Sequence, residues 1–410
     1  MISENSTCLM KSDKQFIVLT VFGKNQPYLI ADICAAVTDS RLNIVAVEQN
    51  SLHGLFIMFM LMLPVDESEN CQNAFERFRK HAADLPLEVK IDLVSAAMTT
   101  QTAENKNPQV FTIIGRDKVG ILKAISHALA NFRVNIEKMH HLAHGELVAL
   151  EMLVDASELR DLKILKEVIQ RTCDEVGFDT IIQPDTPFRQ RRRLVVFDMD
   201  STIIEEEIID ELAKAAQVGD KVSRITHRAM AGELDFKEAL RERVTLLSGL
   251  SVTVLNDVAN SMRLTSGTYE LITTLKGMGF KLALISGGFT FFADRLKEQL
   301  GFDYAFANTL EIKNGCLTGR INGRIIDGEA KGKIVNEIAA REGLSREEIV
   351  AVGDGANDEI MLRNAGLGIA FNAHDLLRKV ADGQLTHSNL LGLQYCLGAV
   401  DKASAPPSKK

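Results

Sequence analysis

The sequence predicts two small α+β domains of βαββαβ type, followed by an α/β domain with a parallel sheet and a helical cap inserted into it. Three observations carry that reading. Two stretches of the N-terminal half look like copies of one another. From about residue 190 onward, strand-like segments alternate with helix-like ones, the pattern of a parallel sheet. One helical stretch, between Glu205 and about Ser261, is too long for a simple crossover and reads as a cap above the sheet. A chain of 410 residues is expected to hold two or three domains.

The copies are "FIVLTVFGKNQPYLIADICAAVTDSRLNIVAV" from Phe16 and "VFTIIGRDKVGILKAISHALANFRVNIEKM" from Val110. Gly23 aligns with Gly115, Leu29-Ile30 with Ile121-Leu122, and Asn43-Ile44 with Asn135-Ile136. Each copy reads as a strand, a glycine-containing turn and a helix with apolar residues three to four apart: Ile30, Ile33 and Val37, then Leu122, Ile125 and Leu129. A second strand, an "HG" turn (His53-Gly54, His144-Gly145) and a third strand follow. "NAFERFRKHAAD" with "LEVKIDLV", and "DLKILKEVIQRTCDEV" with "FDTIIQ", close each unit with a helix and a last strand. The histidines of "MHHLAH" are explained by a strand and its turn.

These elements place the domains at 14–98, 108–184 and 190–403, with the cap at about 205–265. The polar "TTQTAENKNP" separates the copies, and "PDTPFRQRRR" reads as an extended, solvated linker before the third domain. In that domain "LVVFDMD", "KLALISGG", "DYAFAN" and "EIVAVGDG" are the expected strands. Within the cap, Asp235 with Glu238 forms a capping-box signature ahead of "FKEALRERVTLL".

Composition excludes several functions. The chain is 46% hydrophobic and 25% charged, with a formal net charge of -8, which argues against nucleic-acid binding as its main activity. Its six cysteines are scattered without a C-x-x-C pair, as expected of free thiols in a reducing compartment. The N-terminus shows no secretory pattern, and "LFIMFMLML" is half the length of a spanning helix and reads as a strand. A cytoplasmic protein without a membrane partner is expected.

The chemistry concentrates at strand ends. In open α/β sheets ligands bind outside the carboxyl ends of the strands, and "VVFDMDSTII" puts Asp198 and Asp200 there. If the chain stays extended, a period of two points both carboxylates to one side. Two anions so close repel unless a cation or a shared proton lies between them. An Asp-rich turn capping the next helix is the structural alternative, and this stretch alone does not choose. "LALISGG" ends at Ser286, where Gly287-Gly288 lets backbone amides approach an anion. "GEAKGK" sets Lys331 and Lys333 near a helix start, and "IVAVGDGAND" brings Asp354, Asn357 and Asp358 to a fourth strand end. Carboxylates outnumbering cations at a phosphate site require a hard metal ion, and oxygen-only ligands favour Mg²⁺. One aspartate can then act as nucleophile, while the other protonates the leaving oxygen and activates water.

In their order, "DMDST", "SGG", "AKGK" and "GDGAND" resemble the signature motifs of the haloacid dehalogenase-like phosphotransferases, a family with a Rossmannoid parallel sheet and a cap. The similarity is closer still to the phosphoserine phosphatase branch and runs over nearly all of residues 192–400, through "DSTIIEEEIIDELA", "ITHRAMAGELDF", "LRERVTLLSGL" and "YAFANTLEIKNGCLTG". The resemblance implies Asp198 as nucleophile and Asp200 as general acid/base. It implies Mg²⁺ held by the Asp198 carboxylate, the Asp200 backbone carbonyl and Asp354. Ser286 with Gly287 and Lys331 would hold the phosphate, and Asn357 and Asp358 would complete the site. In the cap, Glu207 would meet a substrate amine and Arg243 a carboxylate, which a guanidinium fork fits bidentately.

The repeat half resembles a pair of ACT domains, which commonly bind amino acids at helix-start turns and domain interfaces. The second copy keeps Asp117 and Gly120 where the first has Gln26-Pro27-Tyr28, so Asp117 and Asn135 are the candidate effector ligands. A purely structural role as a dimerisation surface is the alternative.

The expectation is a Mg²⁺-dependent enzyme that releases L-serine from O-phospho-L-serine, the last step of serine biosynthesis. A homodimer or higher homo-oligomer and an amino-acid effector go with it. Two other readings stay open: transfer of the phosphoryl group to another alcohol, and an amino-acid-sensing regulator with a vestigial phosphatase module.

Overall fold

Alternating apolar residues build the first unit. Its elements are β1 (Gln15–Lys24), α1 (Leu29–Asp39), β2 (Leu42–Leu52), β3 (Leu55–Pro64), α2 (Cys71–Ala82) and β4 (Glu88–Ser95). The sheet is antiparallel in the order β2-β3-β1-β4. Every second residue of the central strands, Ile17, Leu19 and Val21 with Met58, Met60 and Met62, packs against Ile33, Val37 and Phe78 of the helices. The computed structural model describes residues 15–83, 88–95, 106–143, 147–230 and 233–397, and the chain divides into two units at residue 105. The turn expected at His144-Gly145 lies outside the described residues.

The second unit begins with the same βαββαβ order: β5 (Pro108–Arg116), α3 (Ile121–Asn131), β6 (Ile136–Ala143), β7 (Leu147–Asp155), α4 (Leu162–Val176) and β8 (Phe178–Pro184). Its sheet does not end there. The segment expected as a solvated linker is a short turn held against the protein. Arg189 pairs with Glu151 at 2.5 Å, and buried Arg192 donates to Gln183 and to the Cys396 carbonyl. The run of arginines is thus partly interior, because its carboxylate, amide and carbonyl acceptors come from segments distant in sequence.

The α/β part follows: β9 (Leu194–Phe197), then the cap helices α5 (Ile208–Ala215), α6 (Gly219–Met230), α7 (Phe236–Thr245) and α8 (Val252–Ser261), then α9 (Thr268–Gly277), β10 (Lys281–Phe289), α10 (Thr290–Leu300), β11 (Tyr304–Lys313), β12 (Cys316–Asn322), α11 (Gly328–Glu342), β13 (Ile349–Gly353), α12 (Glu359–Arg363), β14 (Leu367–Phe371), α13 (Asp375–Arg378), β15 (Gly383–Leu385) and α14 (Leu393–Cys396). Strands β11, β10, β9, β13, β14 and β15 are parallel neighbours in that order. β15 meets β8 antiparallel at Gly383 and Ile181, so one sheet of eleven strands runs through both domains of this unit. Ile114, Ala149 and Ile181 of the βαββαβ part belong to the same apolar core as Val195, Phe197 and Leu284.

The expected capping box is present. Asp235 accepts from the Glu238 amide at 2.7 Å, and Glu238 accepts in return from the Asp235 amide. The sequence reading missed the β11–β12 hairpin, although Asn314-Gly315, both at positive φ, is a strong hairpin turn signal. Among the described residues no helix is long and apolar enough to cross a membrane.

Candidate active site

β9 lies between β10 and β13, within the parallel run of the sheet, and is fully buried. Its ladder runs on for one bond, Asp198 N–H to the Val352 carbonyl at 2.9 Å, and then the chain leaves the sheet. It does not stay extended. The Met199 carbonyl accepts from the amides of Ile203 and Ile204, and Ser201 takes φ of 55°. The tight turn aims the two aspartates at different partners. Asp198 Oδ1 accepts from the Met199 amide at 2.8 Å and pairs with Lys331 Nζ at 2.8 Å. Its Oδ2 has no protein donor among the described residues. Asp200 accepts from the Ser286 hydroxyl at 3.1 Å and from the Ile208 amide at 3.0 Å, at the start of α5. The helix-capping alternative is thus met at Asp200, which holds the first amide of α5.

Lys331 sits in the first turn of α11, whose N-cap Asp327 accepts from the Ala330 amide. It is completely buried and bridges Asp198 to Asp358, the latter at 2.7 Å. Its neighbour Lys333 is exposed beside Glu329 and takes no part. Asp358 opens the helix after β13 and accepts from the Gly355 amide, while Asp354 accepts from the buried Thr202 hydroxyl at 3.1 Å. Carboxylate oxygens of Asp198, Asp354 and Asp358 lie within 4.8 Å of one another, an all-oxygen group able to hold a hard metal ion. Asp358 is already engaged by Lys331, so Asp198 and Asp354 have the free valence.

The charges explain why a cation suits the site. Burial, with Asp358 adding and Lys331 opposing, holds the Asp198 carboxyl well above the usual carboxylate range. Burial and Glu207 push Asp200 up to about 7 against the Ile208 amide and Ser286 hydroxyl. Burial and Asp358 push Asp354 up to about 7 as well. Burial disfavours the Lys331 ammonium, yet Asp198 and Asp358 more than reverse that and raise it. One buried lysine cannot neutralise this many acids, and a bound divalent ion would.

Ser286 follows the buried apolar residues 282–285 of β10, and its Oγ accepts from the Gly288 amide at 2.7 Å. A side chain at Gly288 would come within 2.6 Å of Asp200 Oδ2, so only glycine lets the loop approach the acid. Asn357 lies beside Gly287: a Cβ there would stand 3.7 Å from its Nδ2. Buried Asn308, absent from the sequence reading, donates to the Gly287 carbonyl and accepts from the Ile326 amide, both at 2.8 Å. It ties the serine loop to the approach of the lysine helix. The available signal was a polar residue at the carboxyl end of "DYAFAN". Thr202 was likewise missed, although the opening motif contains it.

The cap supplies the remaining pair. Glu207, the N-cap of α5, accepts from the Ser201 hydroxyl at 2.8 Å. It is exposed to solvent, yet partial desolvation, with Asp210 adding and the Ser201 hydroxyl and Arg243 opposing, raises its carboxyl. Arg243 on α7 is half-buried and donates only weakly, to the Ala239 carbonyl and Thr226 hydroxyl at 3.3 and 3.5 Å. No carboxylate lies within 4.0 Å of it among the described residues. In the second βαββαβ part, Asp117 and Asn135 are both exposed, in the turn after β5 and just before β6, and neither side chain makes a hydrogen bond among the described residues.

Comparison with known proteins places this geometry in context. Residues 192–366 match the haloacid dehalogenase-like hydrolase family, and residues 15–91 and 108–183 each match the ACT domain. The chain is 49% identical over 343 residues to a phosphoserine phosphatase of Archaeoglobus fulgidus, covering 84% of this chain and 97% of that one. It is 34% identical to a phosphoserine phosphatase of Streptomyces coelicolor over 94% of this chain and 93% of the relative. The crystal structure of a probable phosphoserine phosphatase from Vibrio cholerae superimposes with a TM-score of 0.59 at 34% identity, over 73% of this chain and 89% of that one.

Proposed function

The chain belongs to the haloacid dehalogenase-like hydrolases, within their phosphoserine phosphatases, and we propose that it hydrolyses O-phospho-L-serine through an aspartyl-phosphate with Mg²⁺ as cofactor. The observation that carries the reading is the buried Asp198–Lys331–Asp358 chain, which occupies one oxygen of Asp198 and leaves Oδ2 without a protein donor. Oδ2 attacks phosphorus as the seryl oxygen leaves with the proton of Asp200. A water molecule then attacks the phosphorus of the aspartyl-phosphate and gives its proton to Asp200, which returns Asp198 and releases phosphate. Ser286, the Gly287 amide and Lys331 stabilise charge on the transferring group, with Asn357 beside them. Asp198 and Asp354, with the Asp200 backbone carbonyl, would hold Mg²⁺, which when bound neutralises charge on the phosphoryl oxygens and the nucleophile.

Glu207 and Arg243 suit the ammonium and carboxylate of serine, since no acid among the described residues pairs with the Arg243 fork. Phosphate release should therefore be measured from O-phospho-L-serine beside phosphothreonine, phosphoethanolamine and p-nitrophenyl phosphate. Arg243→Ala is expected to cut kcat/KM for phosphoserine about 10²-fold and to leave phosphoethanolamine, which lacks the carboxylate, within a few-fold. Equal losses on both substrates would remove Arg243 from carboxylate recognition.

Chelation of divalent ions is expected to abolish turnover and lower the melting temperature, and added Mg²⁺ to restore both, because a ligand of the folded state stabilises it by mass action. Activity that survives exhaustive chelation would sink the metal assignment. The same reading places the reaction at the end of serine biosynthesis. It makes Asp117 and Asn135 first contacts for an amino-acid effector, and the chain a homodimer or higher homo-oligomer. Exposed apolar residues Val45 and Val47 on edge strand β2 support self-association.

A further inference from the structure

We propose that Asp179, on β8 of the second βαββαβ part, is a positioning residue for the cap hinge, acting through residues 386–391. The proposal builds on the phosphatase reading, in which the cap carries Glu207 and Arg243. Asp179 is completely buried, and every donor on its carboxylate comes from one segment beyond β15. Oδ1 accepts from the amides of Thr386 at 2.6 Å and His387 at 2.9 Å, and Oδ2 from the amide of Ser388 at 2.7 Å and its hydroxyl at 2.5 Å. No cation lies within 4.0 Å of it among the described residues. An apolar contact would join the two domains equally well. A carboxylate satisfied by three successive amides does more, since it dictates the backbone course of the loop that supplies them.

The far end of that loop grips the cap hinge. The chain crosses from core to cap at residues 203–205 and returns at 263–265, and the two crossings pair through Ile204 with Leu264, Glu205 N–H with the Arg263 carbonyl, and Thr265 N–H with the Ile203 carbonyl. Immediately after the return crossing, the Ser266 carbonyl accepts from the Leu390 amide at 3.2 Å and its hydroxyl from Asn389 at 3.4 Å. Gly267 lies so close to Leu391 that a Cβ there would stand 2.8 Å from the Leu391 nitrogen. A cleft of about 450 Å³ opens between the hinge and the loop, lined by Ser201, Glu205, Thr265, Ser266, Ser388 and Asn389. The Thr265 hydroxyl is buried there without a partner among the described residues. Between Asp179 and the hinge there is therefore one short, hydrogen-bonded segment, with open space beside it. A shift of β8 reaches the hinge, and through it Glu207, which Ser201 holds from the same cleft.

Asp179→Asn preserves shape and removes the charge, and hydrogen exchange with substrate kinetics on the full chain tests the linkage. Amides of 263–268 are expected to exchange about tenfold faster or more, together with those of 386–388. KM for O-phospho-L-serine is expected to rise about fivefold, while p-nitrophenyl phosphate, which offers nothing to Glu207 or Arg243, keeps its rate. Asn389→Ala, at the exposed end of the same segment, should reproduce this pattern and add nothing further in the double variant. It decides the matter by itself if Asp179→Asn fails to fold. Faster exchange confined to 386–388, equal losses on both substrates with KM unchanged, or fully additive effects on KM would overturn the proposal. A parent protein inert on phosphoserine would instead sink the substrate assignment, leaving the exchange pattern to decide the linkage.

Discussion

Asp198→Asn is expected to reduce phosphate release by about 10⁴-fold or more, the scale seen when a covalent nucleophile is removed. The carboxamide fills the same space and keeps an oxygen for the Met199 amide and Lys331, so the change is confined to the oxygen proposed to attack. An amide is a poor nucleophile at phosphorus, and the neighbouring acids are committed elsewhere: Asp358 to Lys331, Asp200 to Ser286 and Ile208, and Asp354 to Thr202 and the proposed metal ion. Stability should not fall, because the substitution removes one of several buried acids that repel each other. The melting temperature is expected to stay level or rise while turnover vanishes. Residual turnover above about one per cent of the parent would move the nucleophile elsewhere. Loss of the folded state along with the activity would make the residue structural first.

Lys331→Met is expected to lose both activity and stability. Lys331 is completely buried between two acids, and Met has similar length without charge. Removing one partner of a buried ionic group typically costs about 3–5 kcal/mol, since the other partners stay behind uncompensated. Chemical denaturation should show that loss. Adding Asp358→Asn to Lys331→Met is expected to restore much of the stability, by removing an acid that no longer has its cation, but none of the activity. A double variant as unstable as the single one would mean that packing, not charge, holds this centre together.

The two experiments divide along a line that the residues themselves draw. Asp198, Ser286 and Asp354 were legible because each sits one or two residues past a short apolar run, and such runs end where a parallel sheet releases its chain; Asp200 and Asp358 follow within the same motifs. The choice of Lys331 over Lys333 came from motif position; in the fold the first points into the core of the site and the second into solvent. Glu207 and Arg243 came from family resemblance alone, since a glutamate in a run of three and an arginine among glutamates look like ordinary surface residues. The linker was misread because four arginines among five residues look solvated, whereas Arg189 and Arg192 find acceptors that other segments bring to them.

Local sequence by itself determined the two βαββαβ copies, the alternation of strand and helix, the capped insertion and the four strand ends that meet in one crevice. Each follows from a period of two, three or four residues, or from a turn chemistry that fits in a few positions. Tertiary structure alone decided the pairings: Lys331 with Asp358 across 27 residues, Thr202 with Asp354 across 152, and Asp179 with Ser388 across 209. It also decided that β15, three residues long, joins the second βαββαβ part to the catalytic sheet. Side chains that far apart share no local period, and a strand so short has none to show. Their partners exist only once the sheet has closed around them.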